Sequence, residues 1–196
     1  MKTHINSVLF GGTFDPIHCG HIGMVKSLFK QVSVDKIIVV PNKQPPHKPN
    51  PIATHKQRLA LLKIALQYFP LADHINYQVS ELELNREGPS YMYDTVCTYQ
   101  ASNPAYSLGL LIGGDNLLSF HHWYQYQKLA QKVQLLVIPR DKITPDYYYD
   151  YQMKHDLNCI FLTETIPISA SEIRQNQKGT GIKKVDQYIQ QNGMYQ

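Results

Sequence analysis

"NSVLFGGTFDPIHCGHIGMV", residues 6–25, holds an apolar run, a glycine pair, an Asp-Pro and two histidines directly before a stretch of helical period. The apolar residues read as a strand, and a helix is expected to start near His18 to His21. Gly11 and Gly12 permit a close backbone approach, and Asp15-Pro16 biases the chain into a turn, because the residue before proline avoids the α region. The first N–H groups of the coming helix have no partners within it and form a positively biased site for an anion. His18 and His21, three apart, share one side of that first turn and can aim at a single phosphate group.

Outward from this unit, short β-rich runs alternate with helical ones. Strands are expected at 7–10, 36–41, 75–79, 106–114, 134–140 and 159–164, several of them apolar on both faces, as buried parallel strands are. Helices are expected at about 20–31, 55–68, 91–101, 123–132 and 182–192. In the second, Thr54 reads as the N-cap and Leu59, Leu62, Ile64, Ala65 and Leu66 as the buried face. The order predicts an α/β fold: a doubly wound, Rossmann-like, mostly parallel sheet with helices on both faces and ligand chemistry at the carboxyl ends of the strands. "PNKQPPHKPNP" (41–51) and "DKITPDYYYDYQ" (141–152) read as loops, the tyrosines at 147–151 as a packed one. Residues 1–196 are expected to form a single domain.

Composition narrows the function. At 17% charged and 43% hydrophobic residues, without low-complexity tracts, the chain is an ordered globular one. A formal charge of +4 suits a ligand with several phosphates, but the 19 Lys and Arg are dispersed, which argues against nucleic acid as a partner. Cys19, Cys97 and Cys159 have no CxxC spacing, so neither a disulfide framework nor a zinc site is expected, and a reducing cytoplasm fits. No stretch approaches the about 18 apolar residues of a membrane span, and no targeting segment is read, so no membrane partner is expected.

The glycine pair followed by HxGH matches neither GxxxxGK[ST] nor GxGxxG, so neither a P-loop ATPase nor a dinucleotide-binding site is indicated. At these residues the chain resembles the HxGH nucleotidyltransferase superfamily. "VVPNKQPPHK" (39–48), "RLALL" (58–62), "ELNREGPSYMYDT" (83–95), "LIGGDNLLSFHHWYQY" (111–126), "ISASEIR" (168–174) and "VDQYIQQNGMY" (185–195) are similar, in order and spacing, to the bacterial nicotinate-nucleotide adenylyltransferases. The similarity spans nearly the whole chain.

That resemblance implies transfer of AMP from ATP to nicotinate mononucleotide, giving nicotinate adenine dinucleotide and pyrophosphate. It implies catalytic roles for His18, His21 and Arg174, and ATP held by Gly11, Gly12, Thr13, Phe14, Gly20, Ile168, Ser169 and Ser171, with the segment from about 168 to 196 completing the ATP site. It implies an acceptor held by His47, Lys48, Tyr91, Met92, Gly113, Asp115 and Trp123. Mg²⁺ is expected to enter with ATP, with no metal held by the protein's own ligands. Read as residues alone, Asp115 serves equally as a helix cap, and Trp123 as a core residue. Arg174, early in a helix, opposes the helix dipole and wants an anion to explain it. Met92 stands where the family motif continues with threonine, and Cys19 replaces a frequent aromatic residue. Nicotinamide mononucleotide or phosphopantetheine as acceptor, or a nucleotide sensor without turnover, are the alternatives; a sensor is expected to lose one of His18, His21 and Arg174, and all three remain.

Overall fold

The computed structural model describes residues 2–46, 50–68, 76–139, 143–163, 170, 173–174 and 179–195. Its elements run β1 (His4–Gly12), α1 (Cys19–Gln31), β2 (Ser33–Pro41), α2 (His55–Tyr68), β3 (Asn76–Val79), α3 (Leu82–Asn85), α4 (Met92–Ser102), β4 (Leu108–Gly113), α5 (Gly114–Leu118), a 3-10 turn (Phe120–His122), α6 (Tyr126–Ala130), β5 (Gln134–Ile138), α7 (Pro145–Lys154), β6 (Cys159–Phe161) and α8 (Lys183–Gln191). The six strands pair in parallel in the order β3-β2-β1-β4-β5-β6.

The period of two along each strand divides the core. Val8, Phe10, Ile37, Val39 and Leu136 point to one face, beneath Leu28 of α1, Leu61 of α2 and Val185 of α8. Leu9, Ile38, Val40, Leu110 and Leu135 point to the other, beneath Val96 of α4, Leu117 of α5, Leu129 of α6 and Tyr148 of α7. A strand buried on both sides must be apolar throughout, which is why these segments show no polar alternation. Each such side chain contributes about 1.5–3 kcal/mol through burial. Strand order reverses direction between β1 and β4, so a crevice opens there at the carboxyl ends, beside Gly11, Gly12 and Ile112.

The doubly wound sheet agrees with the sequence reading, while several elements differ from it. Residues 141–152 are not a loop throughout: α7 occupies Pro145–Lys154, opened by Thr144, whose side chain accepts the Tyr147 N–H, and by Pro145 at the first helical position. The tyrosine run concealed a Thr-Pro-Asp helix start. Tyr148 is buried and Tyr147 and Tyr149 are exposed, as neighbours on a helix must be. The expected helix at 123–132 begins only at Tyr126, because Gln125 turns into the left-handed region at φ 53. Helix α5 and the 3-10 turn after it fill a stretch where no helix was expected, and β4 ends at Gly113.

In α2, Thr54 caps as expected: its Oγ1 accepts the Gln57 N–H at 3.3 Å, and Gln57 Oε1 accepts the Thr54 N–H at 2.9 Å. Its buried face is shifted, however. Arg58, Leu61, Leu62, Ala65 and Leu66 are buried, and Leu59 and Ile64 only partly so.

Candidate active site

The loop from β1 to α1 brings the two histidines together. His18 precedes α1 in extended conformation and His21 sits in its first turn, with ring centroids 3.8 Å apart. The backbone N–H of His18 donates to His21 Nδ1 at 3.2 Å. With Nδ1 accepting, the neutral imidazole of His21 carries its proton on Nε2, which makes that nitrogen a donor. His18 is buried, and the Phe14 ring meets His21 edge-on at 5.0 Å. Gly20 is buried in the first turn between them.

This loop is held by residues distant in sequence. Phe14 has φ 49, a left-handed conformation that costs a non-glycine residue about 1–2 kcal/mol. The carbonyls on both sides of it are tied down: Arg58 Nη1 donates to the Thr13 carbonyl at 2.6 Å, and Arg174 Nη1 donates to the Asp15 carbonyl. The Asp15 carboxylate is buried and accepts three hydrogen bonds, from the N–H of Ile52 at 2.9 Å, the N–H of Ala53 at 3.1 Å and the Tyr195 hydroxyl at 2.6 Å. Burial, and then the bond to Asp15, push the Tyr195 phenol well above its ordinary range, so it remains a protonated donor. Burial lowers the Arg58 guanidinium, and Asp15 and Tyr195 oppose this. The Thr180 carbonyl accepts the Cys19 N–H at 2.8 Å, and a Cβ added to Gly181, which has φ 74, would lie 2.7 Å from Cys19 Sγ. Cysteine in place of a ring thus lets the 179–182 segment close onto the start of α1.

Beside this loop a cavity of about 350 Å³ opens at the crevice between β1 and β4. Gly11, Gly12 and Thr13 line its edge, and Tyr91, Met92 and Trp123 line its body, so the structure gathers these six expected residues around one space. Trp123 is only partly buried, which separates it from a core tryptophan, and its ring rests on Phe120 at 5.1 Å. Tyr91 and Tyr124 face each other at 4.6 Å. Gly113 and Asp115 do not line the cavity. Gly113, not Asp115, occupies the N-cap of α5, and Asp115 is exposed in its first turn. Asn116 and Ser119, one turn further, are on the cavity wall instead. His47, Lys48, Ile168, Ser169 and Ser171 lie outside the described residues.

Helix α7 fixes the turn that presents Trp123. The Tyr151 hydroxyl lies 2.8 Å from His121 Nδ1 and accepts the His121 N–H at 3.3 Å, while His155 stacks on the His121 ring at 4.8 Å. Burial lowers the pKa of the His121 imidazole, with His122, His155 and Lys154 adding to the effect.

The sequence reading missed Asp15 and Arg58 as supports, and Glu83, Asn116 and Ser119 as cavity residues. A signal existed for Arg58. It shares the i, i+3, i+4, i+7 stripe of Leu61, Leu62 and Ala65, and an arginine on a buried stripe needs partners.

Residues 9–176 match the family model described as Cytidylyltransferase-like. A "probable nicotinate-nucleotide adenylyltransferase" of Pectobacterium atrosepticum is 36% identical, covering 97% of this chain and 98% of the relative. One of the same description from Dictyoglomus thermophilum is 36% identical over 95% and 97%, and one from Klebsiella pneumoniae is 34% identical over 95% of each. A Plasmodium falciparum nicotinic acid mononucleotide adenylyltransferase, solved as a complex with NaAD, superposes with a TM-score of 0.77 at 21% identity over 98% of each chain, a likeness of fold. The chain belongs to the cytidylyltransferase-like family, in its nicotinate-nucleotide adenylyltransferase branch.

Proposed function

We propose that this protein transfers AMP from ATP to nicotinate mononucleotide, releasing pyrophosphate and forming nicotinate adenine dinucleotide for NAD biosynthesis. The observation that carries the reading is the pairing of two sites at one strand crevice: His18 and His21 with their rings 3.8 Å apart at the start of α1, and an aromatic cavity lined by Trp123 and Tyr91 beside Gly11–Thr13. One suits phosphates and the other a flat heterocycle.

A phosphate oxygen of the mononucleotide attacks the α-phosphorus in line with departing pyrophosphate. That nucleophile is anionic near neutral pH, so the protein supplies orientation and charge neutralisation rather than a base or a covalent nucleophile. His18, His21 and Arg174 donate to the phosphates as charge builds on them. Gly11, Gly12, Thr13, Phe14 and Gly20 form the ATP cradle, with Ile168, Ser169 and Ser171 completing it. With the Thr13 and Asp15 carbonyls bound to guanidinium groups, the loop keeps two of its own negative dipole ends away from the incoming phosphates. Tyr91, Met92 and Trp123 serve the acceptor from the cavity lining and Gly113 and Asp115 from beside it, together with His47 and Lys48.

Mg²⁺ comes as MgATP. Among the described residues no three His, Cys, Asp or Glu side chains are grouped to hold a metal, a donor set that suits an ion whose ligands are mainly phosphates and water. In this reading residues 1–196 act as one nucleotidyltransferase domain. It works in the cytoplasm, where its substrates are, and no helix among the described residues is long and apolar enough to cross a membrane.

The test is pyrophosphate release with MgATP and each of nicotinate mononucleotide, nicotinamide mononucleotide and phosphopantetheine. Turnover is expected to be fastest with the first. Release with none of them would reject the enzyme reading in favour of a sensor. A second expectation concerns the cavity floor. A Cβ on Gly11 would fall 2.3 Å from Met92 Cε, so Gly11→Ala drives that flexible thioether aside within the acceptor space. The KM for the mononucleotide should rise about three- to tenfold, with a smaller change for ATP. Equal changes for both substrates would mean that the added methyl acts on the ATP cradle that Gly11 belongs to rather than through Met92.

A further inference from the structure

Glu83 is a buried carboxyl group on the cavity wall that the transfer chemistry does not use. Its surroundings are organised by hydrogen-bond polarity. Thr95 of α4 donates its hydroxyl to Glu83 Oε1 at 2.7 Å, and the Ser90 hydroxyl also bonds to the carboxylate. Each hydroxyl in turn accepts from a donor behind it. Thr95 Oγ1 accepts from Arg86 Nη1 at 3.2 Å, and Ser90 Oγ accepts the backbone N–H groups of Lys43 at 3.0 Å and Gln44 at 3.4 Å. The Ser90 N–H donates to the Gln44 carbonyl at 3.0 Å. Glu83 Oε1 is the nearer of two acceptors for the Thr95 hydroxyl, the Tyr91 carbonyl lying at 3.4 Å, and an ionised carboxylate has an acceptor oxygen for each of the Thr95 and Ser90 hydroxyls.

The two ends of the chain are two parts of the cavity wall. Asn42, Pro45 and Pro46 on the loop after β2 form one, and Tyr91 and Met92 at the start of α4 form the other. We propose that Glu83 is a positioning residue for the acceptor nucleotide: through Ser90 and Thr95 it sets the spacing between the 42–46 loop and the first turn of α4. The inference rests on the reading that this cavity takes the pyridine mononucleotide.

Glutamine at this position, or a protonated glutamic acid, keeps one acceptor oxygen and turns the other into a donor, so one of the two hydroxyl bonds is lost and the spacing of loop and helix loosens. Burial raises the Glu83 pKa, Thr95, Arg86 and Ser90 act against that, and Asp94 adds to it. The charged groups facing it are Arg86 and Asp94, with the Lys43 ammonium on the Arg86 carbonyl. As pH falls through that raised pKa, the wild-type protein comes to resemble the glutamine variant.

Initial rates are measured for the wild type and Glu83→Gln at saturating MgATP, across a range of pH. At the alkaline end the variant is expected to show a KM for nicotinate mononucleotide raised about tenfold, with kcat and the KM for ATP changed far less. The two mononucleotide KM values converge as pH falls, whereas a purely structural role leaves their ratio constant. Ser90→Ala, which removes the hydroxyl joining Glu83 to the Lys43 and Gln44 N–H groups and leaves the Thr95 bond in place, is expected to give the same selective rise, and it replaces Glu83→Gln if that variant does not fold. A KM ratio near one at all pH, or equal losses for both substrates, overturns the assignment of Glu83. Absence of turnover in the wild type with any pyridine mononucleotide overturns the functional reading instead.

Discussion

His21→Ala lowers kcat by about a hundredfold or more, while the KM for ATP changes by much less, because the Nε2 donor serves charge that develops only as pyrophosphate leaves. The same result is expected for His18→Ala. The hydrogen bond from the His18 N–H to His21 Nδ1 commits the other ring nitrogen to donation, and the 3.8 Å ring separation keeps the two imidazoles side by side at the start of α1. The two effects should not add. Each ring orients the other, so the double variant is expected to be little slower than either single one. Single-turnover rates with MgATP and nicotinate mononucleotide measure this directly. A variant within threefold of wild type, roughly 0.7 kcal/mol of barrier, would remove the histidine from the reacting centre.

Asp15→Ala acts on stability first. The carboxylate is buried and accepts three hydrogen bonds, two from the 52–53 backbone and one from Tyr195. Deleting it leaves those donors unsatisfied and removes the counter-charge beside Arg58. A loss of about 3–5 kcal/mol is expected. For a chain of this size that corresponds to a fall in Tm on the order of 10 °C, read by calorimetry or urea unfolding. Tyr195→Phe deletes only one of the three bonds and should cost about 1–2 kcal/mol. A loss below 1 kcal/mol for Asp15→Ala would mean that this carboxylate is not what holds the loop.

The sheet and the histidine pair were legible because local rules decide them. Strand burial on two faces leaves an apolar run, and i, i+3 spacing places His18 and His21 together whatever the rest of the chain does. Tertiary partnership was not legible in the same way. Asp15 and Tyr195 are far apart in sequence, and no periodicity links them. Helix α7 was concealed by residues that favour strands, although its Thr-Pro-Asp start was visible. Asp115 and Asn116 illustrate a finer limit. Pattern selects the correct first turn after β4, but the exact helical phase decides which side chain faces the cavity, and that phase is set by Gly113 becoming the cap.

The bond between Tyr195 and Asp15 also bears on how the chain matures during synthesis. The β1–α1 loop emerges from the ribosome well before Tyr195, and its carboxylate has to wait for a hydroxyl encoded 180 positions later. Closing so long a span is slow and comes late in folding. Nascent chains can therefore assemble much of the sheet, with Arg58 and the 52–53 backbone already holding the phosphate loop, before the Tyr195 bond that completes its support is able to form.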